Sequence, residues 1–211
     1  MTDYAAMAKS NGGEKTWNFN QSKPGQWILR LGTGTLFGIC WAVTIEWMIG
    51  AATGKPIKDE VGSDGNINKA SYKALINMQN MARGTRTVVE NGLLQHKAGL
   101  SLNGSSVGES VLKQNYGGGS KGPGLSKYFS SKLHNHFAMI LISPNTTSTT
   151  CHQLGAFLPK SSELKFFDAN EGEFTFPNNK RTEFCNFVGA YMKRRYGHWH
   201  DWKIHTGKVD G

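Results

Sequence analysis

Apolar residues recur at helical spacing in the first half of the chain and gather into short runs bounded by turn residues in the second half. Residues 137–143 (FAMILIS), 153–158 (QLGAFL) and 164–167 (LKFF) read as strands, and a further strand over 173–176 follows the turn at Asn170-Glu171-Gly172. Phe184, Phe187, Val188, Tyr191 and Met192 mark an amphipathic helix that starts near Asn178, and 199–209 returns as a final strand. Lys193, Arg194 and Arg195 occupy the last turn of that helix, where its dipole favours positive charge.

In the first half, Val43, Trp47 and Met48 predict a helix that begins at Cys40 and stops near 50–54, before Lys55-Pro56. Residues 59–67 form a polar loop, and Asn68 caps a helix whose apolar face carries Tyr72, Leu75, Ile76 and Met78. A second helical stretch follows Gly84, with Val88, Leu93 and Leu94 inward. Trp17, Phe19 and Trp27 alternate with polar residues as an extended segment packed on the core, and the glycines of 31–38 mark a loop. Residues 1–15 read as a mobile leader with a break at Asn11-Gly12-Gly13, which leaves 16–211 as one domain. Helices first and an antiparallel sheet afterwards predict an α+β fold of two lobes, the helical N-terminal lobe packed on the C-terminal sheet.

Composition sharpens this picture in three places. With 38% hydrophobic and 11% aromatic residues over 211 positions, the chain has enough apolar surface for a real core. The 36–52 apolar run is interrupted by Thr44 and Glu46 and is too short to span a bilayer, and 1–15 lacks the apolar stretch of a secretory signal. Synthesis in a cytosol is therefore expected, with export by a route that needs no such signal. Three cysteines, Cys40, Cys151 and Cys185, suggest neither a disulfide framework nor a paired-thiolate zinc site. The net charge of +9 suits an acidic surface or anionic membrane, and equally a plain solvated surface.

One set of residues points to chemistry. Cys40 follows the Gly-containing loop that ends in Gly38-Ile39 and opens a helix, where free N–H groups and the helix dipole stabilise a thiolate. The same N–H groups suit the oxyanion of a tetrahedral intermediate. Alone, Cys40 also fits a small buried residue. His152 opens one apolar run and Asp168 closes the next. If those runs pair through the turn at 159–163, imidazole and carboxylate meet at one end of the sheet. The carboxylate then fixes the tautomer so that the other ring nitrogen faces the thiol. A loop histidine and a turn-forming aspartate are the plain alternatives.

Cys151-His152-Gln153-Leu154-Gly155-Ala156-Phe157, followed by Phe166-Phe167-Asp168-Ala169-Asn170-Glu171-Gly172-Glu173-Phe174-Thr175-Phe176, resembles the YopT-like cysteine proteases of bacterial effectors and toxins. In that family a His-headed strand precedes an apolar strand ending in a D-P-N-x-G-E-F-x-F type motif, and the nucleophile lies upstream in a G-x-C motif. Gly38-Ile39-Cys40 and the apolar residues after it resemble that upstream motif. The resemblance implies a papain-like fold, cleavage of a protein substrate through an acyl-enzyme, and delivery as an effector or toxin into a target cell. It casts Cys40 as nucleophile, His152 as base and Asp168 as the third member, with no cofactor and no metal. An immunity or chaperone partner belongs to the same picture. Two departures stand out. Ala169 replaces the family's Pro, and no Asn or Gln lies just before Cys40 as an oxyanion donor, which leaves Thr35 or the Cys40 N–H for that role.

The same three residues also suit a deamidase, an amidase of cell-wall peptide or an acyltransferase, and a non-catalytic basic binding module is the rival from another class. Residues 133–136 (LHNH) superficially match the letters of an HNH nuclease without its dispersed ββα-metal unit. His198, His200, Asp201 and His205 alternate with Trp199 and Trp202 as in a half-buried strand, which weighs against a metal site. Residues 117–124 lack the GKS or GKT ending of a phosphate loop, and no nucleic-acid motif accompanies Lys193-Arg194-Arg195.

Overall fold

The structure, a computed structural model, describes residues 2–21, 39–61, 67, 69–81, 86–107, 135–144, 151–199 and 201–209. Among the described residues seven strands form one antiparallel sheet: β1 Glu14–Asn18, β2 Ser101–Val107, β3 His136–Ser143, β4 His152–Leu158, β5 Leu164–Asp168, β6 Gly172–Phe176 and β7 Asp201–Lys208. Their spatial order is β1-β6-β5-β4-β3-β7-β2. The helices are α1 Tyr4–Ser10, α2 Cys40–Thr53, α3 Lys58–Val61, α4 Lys69–Met81, α5 Arg86–Ala98 and α6 Arg181–Tyr196, the last preceded by a 3-10 turn at Asn178–Lys180.

Side-chain alternation along the strands creates two cores, one on each face of the sheet. Phe137, Met139, Phe157 and Phe167 point to the face covered by α2, α4 and α5. Ala138, Ile140, Leu154, Ala156, Phe166 and Phe174 point to the opposite face, where α1 and α6 lie. The mixture of helices with an antiparallel sheet is the expected one. The division of labour differs: both sheet edges, β1 and β2, come from the first half of the chain, and α6 from the second half covers the face away from α2.

The segment expected to be a mobile leader is structured instead. Asp3 caps α1 by accepting the Ala6 N–H at 2.9 Å, Tyr4 and Ala8 are buried beside α6, and Glu14 already pairs with Thr175 in the sheet. A seven-residue helix spans too few turns to give a readable periodicity, so its burial comes from tertiary packing. The short α3 likewise runs into the start of the 59–67 stretch that reads as loop. Trp27, Asn68, the loop 31–38 and the glycine-rich 117–124 lie outside the described residues.

Helix α2 is apolar almost all round, and ten of its residues are buried, as befits a helix enclosed by protein. It stops where the sequence predicts, with Gly54 in the left-handed region (φ 70°) and its N–H donated to the Gly50 carbonyl. Its seat on the sheet depends on Gly155 in β4. A Cβ at Gly155 would stand 2.5 Å from Trp47 Cζ3 and 3.1 Å from Thr44 Cγ2. Around that contact the Thr44 hydroxyl donates to the Gln153 carbonyl at 3.3 Å, Trp47 stacks on Phe167 at 5.2 Å, and the Trp47 indole N–H donates to Glu173 at 2.7 Å. Three strands, β4, β5 and β6, thus hold one helix in a fixed position along the sheet.

Candidate active site

β4 and β5 pair antiparallel with Leu154 opposite Asp168, so His152 and Asp168 arrive at the same end of the sheet. The His152 Nε2 lies 2.7 Å from Asp168 Oδ1. Both side chains are buried, with His152 4% and Asp168 0% exposed, which shields their interaction from water. Because Nε2 is taken by the carboxylate, Nδ1 is the ring nitrogen that remains for a further partner. Cys40 stands near enough to this imidazole to favour its charged form, and its thiol lies 4.0 Å from the Cys151 carbonyl oxygen. All three residues named from the sequence therefore meet, with Cys40 at the first position of α2 as the apolar pattern predicts.

The carboxylate is held by four donors. Asn170 N–H joins the imidazole at Oδ1 (2.7 Å), closing the turn after β5, while the hydroxyls of Tyr191 (2.6 Å) and Tyr196 (2.7 Å) donate to Oδ2. Tyr196 also lies against the imidazole, with ring centroids 5.5 Å apart. Both tyrosines come from α6, where the sequence shows only the apolar face of a helix. Their roles as donors have no signal in periodicity, since a tyrosine facing inward reads first as core.

Burial is the largest influence on His152 and opposes its charge. The Asp168 carboxylate, through its charge and hydrogen bond, and then Cys40 outweigh it and raise the imidazole well above its ordinary value of 6.5. Burial likewise opposes ionisation of Asp168, and the His152 charge, its hydrogen bond and the two tyrosine hydroxyls hold the carboxyl below its ordinary 3.8. These shifts carry a sign for stability. A depressed carboxyl stabilises the fold above its unfolded value and loses that contribution as pH falls through the folded value. A raised imidazole contributes fully below 6.5 and loses its contribution as pH rises toward the folded value. Melting temperature is expected to be highest between about pH 4 and about pH 6.5 and to fall on both sides. Asp168→Asn removes the source of the upward shift, so the alkaline fall should vanish in that variant when melting is followed by circular dichroism.

Two glutamines outside α2 accept two of the N–H groups at its start. Gln79 Oε1 accepts the Ala42 N–H at 3.0 Å, and Gln21 Oε1 accepts the Ile39 N–H at 3.1 Å. Gln21 is the residue that sequence reading missed. It stands 18 positions before Ile39, outside the stretch next to Cys40, and only the fold returns it to the site. Thr35 lies outside the described residues.

The remaining sequence candidates take other places. His136 sits in β3 opposite Leu158 and Lys208, and His205 in β7 opposite Met139; His134 and His200 lie outside the described residues. Among the described residues no group of three or more His, Cys, Asp or Glu could hold a metal. Arg195 pairs with Glu171 at 3.2 Å and lies over the Tyr4 ring, and Arg194 donates to the Thr2 hydroxyl at 2.9 Å. Among the described residues no helix is long and apolar enough to cross a membrane.

No family model matches the chain, and no curated protein does so either. Among solved structures the chain is similar to the Pseudomonas avirulence protein AvrPphB, at 14% identity and a TM-score of 0.49, covering 81% of this chain and 91% of that one. It is also similar to PatoxP, a cysteine protease-like domain of the Photorhabdus asymbiotica toxin PaTox, at 11% identity and a TM-score of 0.44. That second likeness covers 99% of this chain and 57% of that one.

Proposed function

We propose that the chain is a thiol hydrolase of the papain-like type, with Cys40 as nucleophile, His152 as base and Asp168 as the group that orients the base, and that it cleaves a protein in a target cell. One observation carries this reading: a buried imidazole gripped by a carboxylate at 2.7 Å on one nitrogen, with a thiol at the first position of a helix near enough to favour the ring's charge. The ring lies between an acid and a nucleophile, and the acid itself is braced by three further donors.

In the reaction, His152 Nδ1 takes the Cys40 proton and the thiolate–imidazolium pair forms. The sulfur attacks the scissile carbonyl carbon, and the negative charge on oxygen develops near the first N–H groups of α2. As the intermediate collapses the C–N bond breaks, and the imidazolium gives its proton to the leaving amine. Water, deprotonated by His152, then attacks the thioester and releases the acid and the thiol. Asp168 keeps its charge throughout and holds the ring in the tautomer that the first step needs.

Competition between the three cysteines tests the reading without knowledge of the substrate. Burial pushes the Cys185 thiol up to about 11, against the pull of Arg181, so its thiolate is scarce at neutral pH. Iodoacetamide near neutral pH should label Cys40 well ahead of Cys151 and Cys185, read peptide by peptide in a mass spectrometer. Equal labelling of all three would favour a non-catalytic binding module.

A further inference from the structure

We infer that Gln21 is a positioning residue: its buried carboxamide bridges the start of the nucleophile's helix to the turn that holds the base's carboxylate. The inference rests on the thiol-hydrolase reading and adds a residue that reading does not contain.

Gln21 is 6% exposed and uses its backbone N–H and both ends of its carboxamide across the site. Its backbone N–H donates to the Ala169 carbonyl at 2.8 Å, which anchors it beside the β5–β6 turn. Its Oε1 accepts the N–H of Ile39, the residue before Cys40, at 3.1 Å, and its Nε2 donates to Asn170 Oδ1 at 2.8 Å. The direction of the amide is dictated by its partners. A backbone N–H can only donate, so the oxygen of Gln21 must face Ile39 and the nitrogen must face Asn170. Asn170 is then fixed in turn, with its oxygen toward Gln21 and its Nδ2 toward the Tyr196 hydroxyl at 3.3 Å. Tyr196 spends its one proton on Asp168, so it accepts from Asn170. An unbroken chain of hydrogen bonds therefore runs from the residue before the nucleophile to the carboxylate that orients the base.

This chain joins two segments that approach the site from different sides. Without it, the separation of sulfur and imidazole depends only on how α2 sits over β4. Buried and fully paired amides resist distortion because each unmade bond leaves a polar group without water. The bridge holds the Gln21 amide at both ends, through Oε1 to Ile39 and through one of its two Nε2 hydrogens to Asn170.

Alkylation isolates the positioning role, because displacement of iodide by a thiolate forms no oxyanion. The second-order rate of Cys40 alkylation by iodoacetamide is followed from about pH 4 to about pH 10 in the full chain. It is compared with Gln21→Ala, with Gln21→Met, which keeps the length of the side chain, with Asn170→Ala, and with the Gln21→Ala/Asn170→Ala double variant. Circular dichroism of each variant checks the fold. The bridge predicts that the midpoint moves toward the free-thiol value of about 8.5 and that the neutral-pH rate falls on the order of tenfold to a hundredfold. The double variant should be no slower than the single ones, because all cut the same connection. Unchanged profiles in the folded single variants would overturn the inference, as would effects that multiply in the double variant. If Cys40 of the unaltered chain reacts no faster than Cys151 and Cys185, the thiol-hydrolase reading itself fails, and the inference with it.

Discussion

Cys40→Ala and His152→Ala are each expected to lower turnover by on the order of a millionfold, close to the rate without the enzyme's nucleophilic machinery. The two losses should be nearly equal and should not add in the double variant, because in the proposed reaction thiol and imidazole act as one unit and neither forms the acyl-enzyme alone. Asp168→Ala is expected to cost less, about ten-thousandfold, since the ring still reaches the thiol but loses the partner that fixes its tautomer and supports its charge. That variant carries a second cost. Tyr191, Tyr196 and the Asn170 N–H all donate to this carboxylate, so its removal strands three buried donors at once. Asp168→Ala should therefore melt lower, whereas Cys40→Ala, which removes only a sulfur at the end of a helix, should not. Rates of loss of an intact protein substrate, with melting curves beside them, separate the two kinds of damage.

The second large effect is expected far from any proton transfer. Gly155→Ala introduces a Cβ 2.5 Å from Trp47 Cζ3. Trp47 has nowhere to move, because it stacks on Phe167 and its indole N–H is bonded to Glu173. Either the indole leaves Glu173, whose carboxylate is only 4% exposed, or α2 lifts from β4 and carries Cys40 with it. Overpacking of this kind costs about 1–3 kcal/mol, which for a chain of this size lowers the melting temperature by roughly 2–12 °C. A displacement of the sulfur by about 1 Å costs on the order of a hundredfold in turnover. Loss of both properties together is the expected result. A Gly155→Ala protein with unchanged melting and turnover would show that α2 is not seated through this glycine.

The resemblance in the second half of the chain acquires a physical explanation from these contacts. Of the run from Asp168 to Phe176, only Asp168 meets the imidazole through a short hydrogen bond. Asn170 closes the turn, and Gly172 adopts φ 111° where a Cβ would stand 1.9 Å from the Trp17 carbonyl. Glu173 grips α2 through Trp47 and β1 through Thr16, and Phe174 and Phe176 fill the core under α6. The motif is mostly the frame that brings the helix opening at Cys40 to the sheet.

This explains which parts were legible. His152 and Asp168 lie at the ends of consecutive apolar runs, and a hairpin between those runs admits few arrangements, so their meeting followed from local pattern. Cys40 was legible as the onset of a helix. Gln21 and the two tyrosines of α6 were not, because their roles depend on which distant segment the fold lays beside them. α1 was hidden by its length, with two buried residues in seven. β2 (SLNGSSV) was hidden by composition: polar residues and a glycine read as loop, and pairing with β7 makes it a strand.

The most direct test of the central claim is a map of new protein N-termini in a target-cell lysate treated with the unaltered chain or with Cys40→Ala. The account expects a defined set of new termini with the unaltered chain and none of them with Cys40→Ala. The same termini in both samples, or full toxicity of Cys40→Ala with no cleavage in either, would contradict it.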